Sequence, residues 1–260
     1  MPILSNKDYI RTILRRDPVW GVYALGDLSP LMFAKTQWFS SGFSPDLTLV
    51  LHDYGTSILF AMGTGSVREA LDHVTWPVHL QVRSDALAEI ARHATVTDSR
   101  LMWRMGWSGA PPPAARVTAT RLAAPDVPAL ELLYADGEST GESPDFFFPS
   151  MVTDGVFFGV YEGPALVAAA GTHLVSPGET AAAIGNIYAR RDRRGRGLGR
   201  VVTSAVLRAL TGIETVGLNV RADNKVAIGL YESLGFVRHC RFYEAQAACL
   251  SPSEQPGAER

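Results

Sequence analysis

The stretch SGAPPPAAR, residues 108–116, lies near the middle of a 260-residue chain and constrains its fold more than any other feature. Three consecutive prolines fit neither a helix interior nor a central strand. The stretch is rich in Pro, Ala and Gly and carries one charge, so it reads as a stiff, extended linker. It separates residues 1–107 from residues 117–246, both of ordinary domain size, and a polar tail, 247–260, is expected to be flexible. Hydrophobic residues make up 47% of the chain, enough for a proper core without a metal or disulfide staple. The formal net charge of −2 argues against a nucleic-acid binder. No apolar run approaches the roughly 20 residues of a membrane span. The N-terminus lacks the apolar region of a secretory signal, and the two cysteines, Cys240 and Cys249, have no zinc or disulfide spacing. A reducing cytoplasm is the expected address.

The two halves share an order of elements. In the second, VFFGVY and ALVAAAGTHLVS read as a hairpin across EGP, and AAAIGNIYA as a further strand. RVTATRLAA, before them, reads as a strand, and DVPALELLYAD as a helix opened by Asp126. Leu198, Val201, Val202, Ala205, Val206 and Ala209 recur at helical spacing. TVGLNV is a strand, DNKVAIGLYESLGF a helix capped by Asp223 or Asn224 and ended by Gly235, and VRHCRFYEAQ a closing strand. The first half gives the strands TQWFS, LTLVLHD and SILFAMG, then SVREALDHV (helix), HLQVR (strand), DALAEIARHA (helix) and SRLMWRMGW (strand). Both halves thus run β-β-β-α-β-α-β, which points to a diverged internal duplication.

The second half differs in one loop, RRDRRGRGLGR, residues 190–200, between a strand and a helix. A helix N-terminus exposes unpaired N–H groups and the positive end of a dipole. Glycine lets backbone approach a ligand closely, and arginine adds charge and paired donors. Such a turn is a seat for phosphate or diphosphate. The lysine and hydroxyl of a nucleotide P-loop are absent, and Gly195, Gly197 and Gly199 do not fit the G-x-G-x-x-G dinucleotide pattern.

Arg194 to Gly199 fit R-x-x-G-x-G, and this strand–loop–helix resembles the acyl-CoA diphosphate loop of the GNAT superfamily of N-acyltransferases. NKVAIGLYESLGF resembles a later motif of that superfamily, with Asn224, Ala227, Tyr231, Gly235 and Phe236 in register. The resemblance covers about residues 116–246. It implies an α/β (α+β) architecture of two GNAT-like domains, each a mixed, mostly antiparallel sheet flanked by helices. Residues 1–107 would be a degenerate copy and 117–246 the catalytic N-acetyltransferase domain. It further implies that the backbone of Ile187, Tyr188 and Ala189 hydrogen-bonds the pantetheine arm of acetyl-CoA, the cosubstrate. Arg194, Gly195, Arg196, Gly197, Leu198, Gly199 and Arg200 would hold the diphosphate, mostly through main-chain N–H groups. Asn224 would contact the cofactor, and Tyr231 would face the thioester sulfur as the catalytic acid.

The acceptor is expected to be a primary amine on a small molecule. Asp136, Glu138, Glu142 and Asp145 lie beside Phe146–Phe148, a combination suited to a cation. His173, on a neighbouring strand, is a candidate base, because AAAIGNIYA offers no acid and only Asn186 as a strongly polar side chain. Tyr231 on its apolar stripe, His173, and the acidic run also have plain readings as core, packed ring and solvated loop. The corresponding loop of the first half, AMGTGSVREAL, lacks R-x-x-G-x-G, and its next helix lacks a tyrosine on the stripe. That half is expected to have lost CoA binding. A non-catalytic acyl-CoA-binding module and transfer to a protein amine are the competing readings. No metal is expected, and the choice between monomer and homodimer stays open.

Overall fold

The computed structural model describes residues 3–42, 46–53, 55–110, 112, 117–144 and 146–250. Asp145, residues 111 and 113–116 of the expected linker, and residues 251–260 of the expected tail lie outside the described residues. The chain divides into two compact units, Met1–Arg104 with Cys240–Arg260, and Met105–His239.

The first unit opens with α1 (Lys7–Leu14), which Asn6 caps by accepting hydrogen bonds from the N–H groups of Asp8 and Tyr9. Ile10, Ile13 and Leu14 form its buried stripe. Two short helices follow, α2 (Val22–Gly26) and α3 (Pro30–Phe33), the second with proline in its first turn. Then come β1 (Thr36–Phe39), β2 (Leu47–Asp53), β3 (Thr56–Met62), α4 (Val67–Leu71), β4 (Val78–Val82), α5 (Ser84–Ile90) and β5 (Ala94–Trp107). Strands β1, β2 and β3 pair antiparallel, whereas β3 and β4 pair parallel across α4. Trp20 is fully buried, its ring centroid 5.0 Å from that of Phe60 and 5.4 Å from that of Phe242, and its indole N–H donates to Ala61 O. Trp20 is therefore core of this unit. The buried Arg104 guanidinium stacks among Trp20, Tyr23 and Phe242.

The second unit contains β6 (Thr120–Arg121), α6 (Val127–Ala135), α7 (Ser150–Asp154), β7 (Phe158–Glu162), β8 (Ala165–Ser176), β9 (Ala181–Ala189), α8 (Leu198–Ala209), β10 (Thr215–Arg221) and α9 (Lys225–Glu232), and β11 (Phe236–Cys249) begins in it. β6 to β9 pair antiparallel in chain order, and β10 lies parallel to β9. Three fully buried alanines, Ala168–Ala170, keep the surface of β8 flat where α6, α7 and α8 pack on it. Helices α6 and α7 bury Leu130, Leu133, Tyr134, Met151 and Val152 with Phe157 and Tyr188. Both units thus run β-β-β-α-β-α-β with a parallel pair after the third strand, in mixed, mostly antiparallel sheets flanked by helices.

Several boundaries differ from those expected. The last strand does not stay with residues 117–246, since from Cys240 onward it belongs to the first unit. It pairs antiparallel with β4 from Tyr243↔Val82 to Ala247↔Val78. The tail begins later than residue 247, because Ala247 is buried in the core around Val78, Leu80 and Val82 and the strand continues to Cys249. Among the described residues of RVTATRLAA, strand is confined to Thr120–Arg121, and α5 ends at Ile90 because Ala94 already starts β5. No helix among the described residues is long and apolar enough to cross a membrane.

Candidate active site

The site forms where β9 and β10 part. Their parallel register runs from Thr215↔Ala181 to Leu218↔Ile184 and stops, although β9 continues to Ala189 and β10 to Arg221. On its other edge β9 stays paired with β8 through Tyr188 and Ala189. Backbone of Ile187 to Ala189 on the β10 side is therefore available to an extended ligand. Two compensating shifts in the β8–β9 register mark the same place. One adds a residue to β9 near Asn186, which adopts a left-handed φ of 52°. The other adds a residue to β8 at His173, whose ring lies over Gly185 so closely that a Cβ there would stand 2.1 Å from Nε2. His173 thus accounts for Gly185 being glycine, a packing relation that the sequence order concealed.

After β9, a turn of 3-10 helix at Arg191–Arg193 leads into the glycines. Gly195 and Gly197 take left-handed φ values of 77° and 75°, where a side chain would be strained. Gly197 is the N-cap of α8, and no side chain caps that helix. The first α8 amide bonded to the preceding turn is Val201 N, which donates to Gly197 O at 3.1 Å. The N–H groups of Leu198, Gly199 and Arg200 precede it and present the positive end of the helix. Gly199 is not left-handed, and a Cβ there would meet Leu230 Cδ2 of α9 at 3.2 Å.

The arginines of the loop are engaged by nearby carboxylates. Arg190 makes two bonds to Asp192, at 2.7 and 3.0 Å, and Arg193 reaches Glu162 at 2.8 Å. Arg196 lies 3.6 Å from Glu162, and Arg200 Nη1 donates to Ser233 O at 3.4 Å. Arg194 grips both oxygens of Glu142, at 2.9 and 3.1 Å, and its guanidinium lies 5.5 Å from the Tyr188 ring centroid. This bond to Arg194 holds Glu142 below the usual carboxylate range. Glu142 therefore faces the arginine-glycine loop, a pairing across 52 positions of sequence. Glu138 sits exposed on a turn of 3-10 helix at Glu138–Thr140, apart from that pair. Asp136, the first acid of the run read as suited to a cation, also faces the arginine-glycine loop. It accepts from Arg191 N at 3.0 Å and Tyr188 Oη at 2.9 Å, and these bonds, the backbone one foremost, depress its pKa.

On α9, Asn224 is the N-cap, its side-chain oxygen accepting from Ala227 N at 3.0 Å. That bond commits the oxygen to the helix, while Asp223 pairs with Arg221. Tyr231 is 7% exposed, in edge contact with Phe236, and burial pushes its phenol well above the ordinary tyrosine range. It stays protonated through the neutral and mildly alkaline range.

The corresponding turn of the first unit is filled from within. Asp46, 5% exposed, accepts from Ser66 N at 3.1 Å and Ser41 N at 2.6 Å, just before α4. A Cβ on Gly65 would lie 2.7 Å from Ser41 Oγ. A carboxylate of the chain itself occupies the helix start there.

Comparison with known proteins agrees with this geometry. Residues 127–236 match the Acetyltransferase (GNAT) family. Mycothiol acetyltransferase of Streptomyces coelicolor is 46% identical over 61 residues, 22% of this chain and 20% of the relative, so the match spans about a fifth of that protein. An acetyltransferase of the GNAT family from Novosphingobium aromaticivorans superposes with a TM-score of 0.60 at 20% identity, covering 78% of this chain and 92% of its own. A tandem GNAT protein from the clavulanic acid biosynthesis pathway gives a TM-score of 0.52 at 15% identity, covering 95% of this chain and 97% of its own. Both structural likenesses speak to the fold alone. With its parted strands and its glycine-rich helix start, the stretch at residues 127–236 is similar to an acetyltransferase domain of the GNAT family.

Proposed function

We propose that the protein is an acetyl-CoA-dependent N-acetyltransferase acting on a primary amine of a small molecule. One observation carries the reading: a strand edge that loses its partner after Ile184 leads, through two left-handed glycines, to a helix start that no side chain caps. That succession suits an extended amide-bearing arm ending in a diphosphate. The backbone of Ile187, Tyr188 and Ala189 takes the arm, and the N–H groups around Gly195–Arg200 take the diphosphate. The name of the matched relatives supports acetyl transfer as the reaction class. The first unit, its helix start taken by Asp46, binds no CoA.

The chemistry follows from the groups present. The lone pair of the neutral amine forms the C–N bond at the thioester carbonyl, whose π pair moves onto oxygen. Backbone N–H groups of the parted β9 edge stabilise that oxyanion. Its collapse breaks the C–S bond, the pair leaving on sulfur, and Tyr231 Oη gives sulfur a proton. The surplus proton on nitrogen passes to water, and Tyr231 takes a proton back from solvent, which restores the phenol. Its raised pKa keeps Tyr231 in the donor form throughout the working range.

Thiol release from acetyl-CoA, measured over a panel of small primary amines, tests the assignment. Wild type should turn over at least one amine. Tyr231→Phe should lose at least about a hundred-fold in kcat while its CoA affinity, by calorimetry, stays within about two-fold. Tight CoA binding by wild type with no thiol release from any amine would make it a binding module instead.

A further inference from the structure

Asn186 is 5% exposed, and its side-chain oxygen has no hydrogen-bond partner among the described residues. Buried amide oxygens are seldom left so, because the lost hydration is not repaid. The rest of the residue is accounted for. Its carbonyl accepts from Tyr134 Oη at 2.9 Å, and its Nδ2 points to Met151 Sδ at 3.5 Å. It stands two positions past Ile184, where the β9–β10 ladder ends, in the left-handed residue of the bulge. Its side chain lies on the face of β9 covered by α6 and α7, with Tyr134, Met151 and Tyr188. The segment joining those helices carries Glu138, Glu142 and Phe146–Phe148, and Phe147 packs on Tyr134 at 5.1 Å. An unsatisfied acceptor thus sits just past the end of the β9–β10 ladder.

We propose that Asn186 Oδ1 accepts a hydrogen bond from the attacking amine and aims the nitrogen lone pair at the thioester carbonyl. The inference rests on the acetyl-transfer reading and deepens it by naming what orients the nucleophile. An amide does not take the proton. It fixes the angle of attack, and it selects acceptors that still carry an N–H to donate, primary and secondary amines over tertiary ones and ethers. The same side chain leaves the strand without a fixed negative charge, so a cationic amine is not trapped as an ion pair.

Asparagine also tolerates left-handed backbone, which alone would account for it. Two variants separate the roles. Asn186→Gly keeps the backbone conformation and removes the amide, whereas Asn186→Asp keeps an acceptor at the same place. The glycine variant should hold its CoA affinity within about two-fold and lose at least about ten-fold in kcat/KM for the amine. The aspartate variant should recover most of that loss and extend the pH–rate profile to lower pH, because a carboxylate is also a base. Wild-type kcat/KM in Asn186→Gly would overturn the proposal, as would an equal loss in CoA affinity. A wild type that releases no thiol with any amine would overturn the acetyl-transfer reading and this inference with it. An active wild type with an equally active glycine variant would overturn the inference alone.

Discussion

Asp27 shows how one residue couples stability to pH. It follows α2 and is 9% exposed. Burial, with the like charge of Asp53 adding to it, raises its carboxyl pKa from 3.8 to about 7. The folded state therefore holds a proton that the unfolded chain releases more readily. The stability this contributes is complete below 3.8 and is lost as pH rises through about 7. The loss is on the order of a few kcal/mol. Asn mimics the protonated acid and does not titrate. Denaturant unfolding of wild type and Asp27→Asn should give similar stabilities near about pH 4, with the variant ahead by a margin that grows toward about pH 7 and then levels. A margin constant over that range would mean that Asp27 is ionised in the folded state. Such an environment is invisible in sequence, where Asp27 is one of several acids near turns. Gly195 and Gly197 were legible because a left-handed turn at a helix start demands them. Gly199 was legible as part of the motif, but its contact with Leu230 needed two helices in place.

At the scale of elements, the order of strands and helices was readable because hydrophobic spacing changes between them. Their ends were set by partners elsewhere. β6 keeps only Thr120–Arg121 because its ladder with β7 spans only Gly159 and Phe158. The loop between α6 and α7 was legible as acidic and aromatic, yet its destination was not, since Glu142 finds Arg194 only once β9 has brought the arginine-glycine loop beside it. Under the proposed function, that contact makes the loop between α6 and α7 a competitor for CoA at Arg194. A diphosphate arriving at Arg194 must share or displace Glu142. Their side chains are 43% and 44% exposed, so the pair itself is worth no more than about 1 kcal/mol. Glu142→Gln should therefore bind CoA tighter by up to about five-fold at low salt, the gain shrinking as salt screens it. Calorimetric titration at two ionic strengths measures this. Unchanged affinity at both would show that Arg194 stays with residue 142 while CoA binds.

At the scale of the molecule, chain order and compact units do not coincide. The triple proline reads as a boundary, whereas the first unit breaks off at Arg104 and resumes at Cys240. The return of residues 240–249 to that unit was not legible. VRHCRFYEAQ reads as the closing strand of the second half, and only the pairing of Tyr243–Ala247 with Val78–Val82 reveals where its far end belongs. The consequence is that the N-terminal unit lacks a core strand until the C-terminus is in place. Phe242, packed against Trp20, is the largest fully buried side chain which that strand supplies to it. Truncating such a side chain to alanine costs about 3–5 kcal/mol. Phe242→Ala should therefore speed amide hydrogen exchange in β2, β3 and β4, residues 47–82, through sub-global opening of their own unit. Exchange in β7, β8 and β9, residues 158–189, should remain near wild type, because their core lies in the other unit. Mass spectrometry of peptides from the labelled protein resolves the two sets. Equal loosening of both would mean that the units unfold as one, and loosening of residues 158–189 alone would mean that the last strand serves the second unit after all.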